Sequence, residues 1–392
     1  MPMPWCRLPA LLLALALAAC AGRPDDGALI PTDVAAPGAE RVDVLVATTR
    51  LREPETAAMF SGERSEGIDF AHLAVSIPPN HKPGTVEWPP RAPGDPSRHF
   101  VTRERSYLDG EAAFKARLKA AVAAKAPEDR TVFVFVHGYN TTFDEGVYRL
   151  AQIDHDTGFG GVPVLFTWAS RGSILDYVYD RDSATVARDA LELTLRLAAE
   201  SGARNVVLFA HSMGNWVAVE ALRQAKISGR PDLGGKLSDV VLASPDIDVD
   251  VFKAQMDRYG VPDKPFIMMV STDDRALLVS SILAGDKPRV GGYTEDTAAI
   301  ASLGVIVVDL TNVEGLDGLN HDKFNAVAPG FLRRLRDRLA AGDDLEFEAT
   351  SVGETIGTLG RNIGGAVGTT AGVIITTPAA ILTAPVEAII RR

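Results

Sequence analysis

N-V-V-L-F-A-H-S-M-G-N-W-V-A-V-E, residues Asn205 to Glu220, reads as a strand, a sharp turn and the start of a helix. Val206 to Phe209 is an apolar run of buried-strand length, Ala210 to Gly214 turns, and Trp216 to Gln224 resumes with helical composition. A serine at the centre of such a turn has the context of a nucleophile elbow, in which a strained backbone exposes the Ser212 Oγ at the sheet edge. Strand and helix can approach closely only if the flanking residues are small. Gly214 meets that need, and Ala210 adds one methyl group where G-x-S-x-G has its first glycine. Five residues match by chance in many proteins, so Ser212 has to be judged by the rest of the chain.

Working outward, apolar runs recur at Val42–Ala47, Ala71–Ile77, Val132–Val136, Val162–Trp168, Val240–Ala243, Phe266–Val270 and Val305–Leu310. Between them lie helical patterns. Phe114, Leu118, Ala121 and Val122 share one face, as do Ala187, Leu191, Leu195 and Ala198. Thr142 to Glu145 is a T-x-x-E capping box that opens a helix after the third strand. Alternating strands and helices predict an α/β fold, a mostly parallel sheet covered on both faces. Pro78 to Pro96 carries seven prolines, which exclude helix and central strand and predict an extended wrap over the surface. Only about twenty residues separate the sixth and seventh predicted strands, so no large cap domain fits there. The substrate cleft would be shaped by short loops or by the wrap.

Eight strands with a serine after the fifth, together with F-V-H-G-Y-N, F-T-W-A-S-R-G, A-H-S-M-G-N-W, L-A-S-P-D-I-D and D-D-R-A-L, resemble a bacterial α/β-hydrolase family of undefined function, of the esterase/lipase superfamily type. The resemblance implies the α/β-hydrolase fold over residues 41–340 and hydrolase chemistry, without a substrate.

A serine hydroxyl needs an imidazole to take its proton, and in this fold the chain order is Ser, acid, His. Of the seven histidines, only His321 follows Ser212, so it is the candidate base. Asp274, in S-T-D-D-R-A-L after the seventh predicted strand, is the candidate acid; Asp273 beside it and Asp246 (with Asp248) after the sixth are alternatives. The oxyanion hole would combine the N–H of Met213 with that of Tyr139 in H-G-Y-N, with His137 bracing the loop and Asn140 contacting substrate or capping the next helix. His211 is expected to point away from the nucleophile. Asp246-x-Asp248-x-Asp250 begins like a calcium loop, but Val251 replaces the required glycine and Asp257 the bidentate glutamate, so no metal is expected there. The chemistry calls for no cofactor.

The termini bear on location. Leu8 to Ala18 is an apolar run too short for a membrane span and suited to a signal peptide, 1–19. It ends on L-A-A-C, which resembles a lipoprotein lipobox and implies acylation of Cys20; Ala21 in the next position implies the outer membrane, facing the periplasm. Both cysteines lie within the first twenty residues, and the mature chain would keep only Cys20. Residues 20–40 read as the lipidated Cys20 and a flexible tether. Residues 341–392 form a Gly/Ala/Thr-rich tail, with Gly360, Gly364, Gly368 and Gly372 evenly spaced, expected to be flexible or membrane-interfacial. A net charge of −11 argues against nucleic acid as a partner. The expected reading is a lipid-anchored serine hydrolase acting on a small acyl ester or lipid. Its alternatives are a non-catalytic envelope lipoprotein with this fold and an acyltransferase using the same residues.

Overall fold

The computed structural model of the chain describes residues 27–293, 295–315, 318–341 and 374–376. Its ten strands are β1 Glu40–Glu53, β2 Met59–Ile77, β3 Val101–Leu108, β4 Thr131–Val136, β5 Val162–Thr167, β6 Asn205–His211, β7 Leu237–Ala243, β8 Phe266–Val270, β9 Val305–Asp309 and β10 Ile374–Thr376. They form one sheet in the order β10-β9-β8-β7-β6-β4-β5-β1-β2-β3. Pairing is parallel from β1 through β5, β4, β6, β7 and β8 to β9, and antiparallel at both margins. This is the α/β-hydrolase fold, with two strands more than the eight read from the sequence.

The helices are α1 Gly110–Ala123, α2 Phe143–Thr157, α3 Tyr177–Val186, α4 Arg188–Ala199, α5 Gly214–Ile227, α6 Val249–Tyr259, α7 Arg275–Leu283, α8 Thr297–Ser302 and α9 Phe324–Ala341. They cover the sheet on both faces, and the alternation of strand side chains divides the core accordingly. Val132, Val134 and Val136 of β4 pack with Leu118 of α1, Leu191 of α4 and Val217 of α5. Phe133 and Phe135 face the other layer, with Val147 of α2 and Phe331 of α9. Every residue of β4 is buried, which explains its uninterrupted apolar sequence. The Thr142–Glu145 capping box forms at the start of α2, where the Thr142 N–H donates to Glu145 Oε2 at 2.8 Å.

Two expectations need correction. Residues 27–39 are not a free tether: Ala28 and Leu29 are buried, and the Ala28 carbonyl accepts from the Tyr148 hydroxyl at 2.7 Å. Hydrogen bonds add to this burial: the Thr32 N–H donates to the Thr102 carbonyl at 3.0 Å, and Arg103 donates to the Thr32 carbonyl at 3.0 Å. Within the tail, Ile374–Thr376 pairs with β9. The remaining difference is β3, which extends the β1–β2 hairpin at the sheet edge. The signal peptide 1–19, Cys20 and the rest of the tail lie outside the described residues. Among the described residues no helix is long and apolar enough to cross a membrane.

Candidate active site

Ser212 sits between β6 and α5 with φ of 53°, in the left-handed region where a non-glycine residue costs on the order of 1–3 kcal/mol. Local hydrogen bonds hold it there. Its N–H donates to the Ala243 carbonyl at 3.0 Å, and its carbonyl accepts from the N–H groups of Asn215 at 3.1 Å and Asp246 at 3.2 Å. The buried Asn215 amide bridges the Ser212 and Ala243 carbonyls at 2.9 and 2.8 Å, so N in A-H-S-M-G-N is part of the turn's support.

The small residues are required by packing. A Cβ on Gly214 would lie 2.3 Å from the His137 carbonyl oxygen and 2.7 Å from that of Val136, and one on Gly138 would lie 2.8 Å from Ser212 Cβ. Backbone atoms cannot retreat as a flexible side chain can. Gly214→Ala is therefore expected to lose about 1–3 kcal/mol of stability, as overpacking does, measurable by urea denaturation. A variant as stable as the parent would show that the turn tolerates the wider approach.

His321 lies in the loop before α9, and its Nδ1 is 2.7 Å from Asp274 Oδ2. Asp274 is buried at the N-terminus of α7, where its Oδ1 accepts the Leu277 N–H at 3.0 Å. Asp273 has a different task. It accepts from Lys323 Nζ at 2.6 Å and Asn320 Nδ2 at 2.9 Å, so it holds the loop on both sides of His321. Asp246, the other alternative, is engaged by Ser280 Oγ at 2.6 Å, the Tyr177 hydroxyl at 3.2 Å and Arg289 Nε at 3.2 Å.

The loop after β4 approaches the serine turn from the opposite side. Among the described residues, neither the Met213 N–H nor the Tyr139 N–H has a hydrogen-bond partner, whereas the Asn140 N–H is taken by Asp180 Oδ2 at 3.2 Å. His137 braces this loop: it is fully buried, stacks on Trp168 with ring centroids 5.2 Å apart, and bonds the Gly138 carbonyl through Nδ1 at 2.8 Å. Since a carbonyl can only accept, Nδ1 carries the proton and Nε2 accepts from the Thr167 hydroxyl at 2.8 Å. Burial, aided by the Arg50 charge, pushes its pKa down to about 3, so the bracing ring is neutral.

Ser212, His321, Tyr139 and Asp246 open on one cavity of about 280 Å³, whose apolar wall includes Trp88, Ile174, Leu277, Val279, Leu283 and Leu319. An elbow serine and a His–Asp pair thus come together on this sheet. Residues 111–336 match the family described as "Alpha/beta hydrolase of unknown function (DUF900)". The chain belongs to that family. No curated protein matches. Among solved structures the chain is similar to one from an analysis of two fungal esterases of Rhizomucor miehei, with 14% identity, coverage of 84% of this chain and 89% of that one, and a TM-score of 0.36. It is similar to a Pyrobaculum calidifontis esterase at 12% identity, covering 70% and 82%, with a TM-score of 0.30. Aspergillus fumigatus lipase B gives 14%, 67% and 73%, and 0.27. These likenesses are too distant to bear on substrate.

Within the family fold, several residues of the site carried no sequence signal. Arg50 is fully buried at the end of the β1 strand core, where it donates to Thr167 Oγ1 at 2.8 Å and to the Thr141 and Ser170 carbonyls, both at 2.7 Å. It ties the loops after β4 and β5 together, and burial lowers its pKa to about 10. Tyr177 and Arg289 are recruited from distant segments to satisfy Asp246, whose carboxyl burial pushes upward. His211 departs from expectation. Its ring lines the cavity and packs 4.7 Å from that of His321 and 4.6 Å from Phe324. Burial, and then the neighbouring His321, hold the His211 pKa well below the ordinary value, so His321 faces an uncharged neighbour.

Proposed function

We propose that the chain is a serine hydrolase that cleaves carboxylic esters or related acyl compounds through an acyl-serine intermediate. The observation that carries this reading is the His321–Asp274 bond on the same cavity as the strained Ser212. His321 Nε2, the nitrogen Asp274 does not engage, takes the Ser212 proton as Oγ attacks the acyl carbon. The oxyanion that forms is held by the Met213 and Tyr139 N–H groups, each typically worth about 3 kcal/mol. The imidazolium then gives its proton to the leaving alcohol oxygen. Water, deprotonated by the same nitrogen, releases the acid and restores Ser212. Asp274 accepts the Nδ1–H throughout and stabilises the imidazolium. The largely apolar cavity wall supports an acyl chain as the bound portion. Fluorophosphonate labelling of the purified protein followed by mass mapping tests the reading. The adduct is expected on Ser212, and a protein that neither labels nor turns over acyl esters would favour the non-catalytic alternative.

The proposed location is the bacterial envelope, with Cys20 lipidated and the domain held at the outer membrane facing the periplasm. The support is the L-A-A-C-A sequence after an apolar run. A single acyl chain binds membranes marginally, at roughly 10⁴ M⁻¹, whereas the two or three chains of a processed lipoprotein hold firmly. Cys20→Ser is expected to move the protein from the membrane pellet to the soluble periplasmic fraction. Retention in the pellet would direct attention to the tail, and deleting residues 353–392 in that background would test it.

A further inference from the structure

The segment from Pro78 to Phe100 forms neither helix nor strand, yet it is fixed to α2 by a cluster remote in sequence. His81 from the segment and His155 and Asp156 from α2 each present a donor atom within 4.8 Å of the others. His81 Nε2 is 2.8 Å and His155 Nδ1 is 3.4 Å from the same oxygen, Asp156 Oδ1. The side chains of His81 and Asp156 are almost fully buried, at 3% and 1% exposure, while that of His155 is 23% exposed.

We propose that His81 Nε2, His155 Nδ1 and Asp156 Oδ1 bind one divalent transition-metal ion, with zinc the best match, that clamps the proline-rich segment to α2. Two imidazoles and a carboxylate are a borderline donor set suited to zinc. Ligand bonds of about 2.0–2.1 Å at tetrahedral angles put donor atoms roughly 3.3 Å apart. The two distances to Asp156 Oδ1, 2.8 and 3.4 Å, lie on either side of that spacing, and the two imidazole nitrogens, within 4.8 Å of each other, would close on the ion as it binds.

The surroundings fit a metal site as well. Metal-bound histidines usually present their other nitrogen to a carboxylate. Here His81 Nδ1 meets Glu87 Oε2 at 2.7 Å and His155 Nε2 meets Glu40 Oε2 at 3.5 Å. The second oxygen of Asp156 is held by the Gly84 N–H at 2.7 Å and by the Gln152 amide. Three carboxylates thus converge on two imidazoles, and a divalent cation offsets their charge. His155 is the partly exposed member of the set, the side from which a water would reach the ion as fourth ligand. A proton is the competitor at His81 Nε2. Burial opposes charge on this ring, but its bonds to Asp156 and Glu87 outweigh that and raise its pKa.

The clamp bears on the cavity. Trp88, next to Glu87, stacks on Tyr148 of α2 with centroids 5.0 Å apart and lines the cavity wall. Arg149, also in that wall, donates to Gln152 Oε1 at 2.9 Å. The metal would fix both wall residues, whatever reaction the cavity hosts.

The test uses the untagged full chain, stripped with chelator, dialysed and titrated with Zn²⁺ by calorimetry. One equivalent should bind with Kd below about 1 μM, with a rise in Tm. Cobalt(II) in place of zinc should give the visible absorption of a tetrahedral N/O site. His155→Ala, which leaves the His81–Asp156 and His81–Glu87 bonds intact, should weaken zinc binding at least about 100-fold without lowering the Tm of the metal-free protein. Glu87→Gln should weaken it about 10–100-fold. No binding by the parent at about 100 μM Zn²⁺, or undiminished binding by His155→Ala, would overturn the proposal and leave an ion pair with protonated His81.

Discussion

Ser212→Ala is expected to reduce kcat on an acyl ester by a factor on the order of 10⁴ to 10⁶ while the protein stays folded. The size follows from the covalent route. Without Oγ there is no acyl intermediate, and His321 can only activate a water that the cavity was not shaped to position. Residual rate over the uncatalysed reaction would come from the Met213 and Tyr139 N–H groups, which the substitution leaves in place. Stability should change little, because the new side chain leaves the hydrogen bonds at the Ser212 backbone N–H and carbonyl intact. The left-handed φ remains, so its cost is not relieved. The measurement is single-turnover kinetics beside thermal unfolding, with loss of the fluorophosphonate adduct as the covalent readout. A rate within tenfold of the parent would exclude Ser212 as nucleophile.

What the sequence disclosed follows from what periodicity and order can encode. Central strands buried on both faces, such as β4 and β6, are continuous apolar runs and announce themselves. The edge strand β3 is V-T-R-E-R-S-Y-L, with only Val101 and Thr102 buried, and its polar composition resembles a surface loop. Chain order after the elbow singled out His321 without any geometry, and Asp274 lies within hydrogen-bond reach of it. Partners chosen by three-dimensional proximity were out of reach. Arg50 is 87 residues from His137, and His81 is 75 from Asp156. A buried arginine and a buried histidine look, in sequence, like any charged residue of a strand or loop. Proline content excludes helix from the wrap without saying which side chain turns inward, so nothing in the sequence marks Trp88 as a wall of the cavity.

The division of labour between Asp274 and Asp246 leads to the second large effect. Asp274→Asn should preserve the fold, because asparagine caps a helix as well as aspartate and its Oδ1 can still accept the Leu277 N–H. Its amide nitrogen would then face His321 Nδ1, at the position of the present 2.7 Å bond. A donor there demands that Nδ1 accept, which puts the His321 proton on Nε2, where it cannot take a proton from Ser212. The expected loss is about 10⁴ in kcat, by precedent for a neutralised triad acid. Asp273→Asn should cost far less, since its oxygen can still accept from Lys323. Asp246→Asn should behave differently again. It would leave the buried Arg289 without its anionic partner, at a cost of about 3–5 kcal/mol if the broken pair behaves as other buried pairs do. Its signature is a lowered Tm, with kcat of the folded fraction largely retained. Measuring kcat and Tm for all three variants separates the roles. A severe kcat loss in Asp246→Asn with Asp274→Asn near the parent would move the acid to the end of β7 and make the Asp274 bond a helix cap that happens to touch an imidazole.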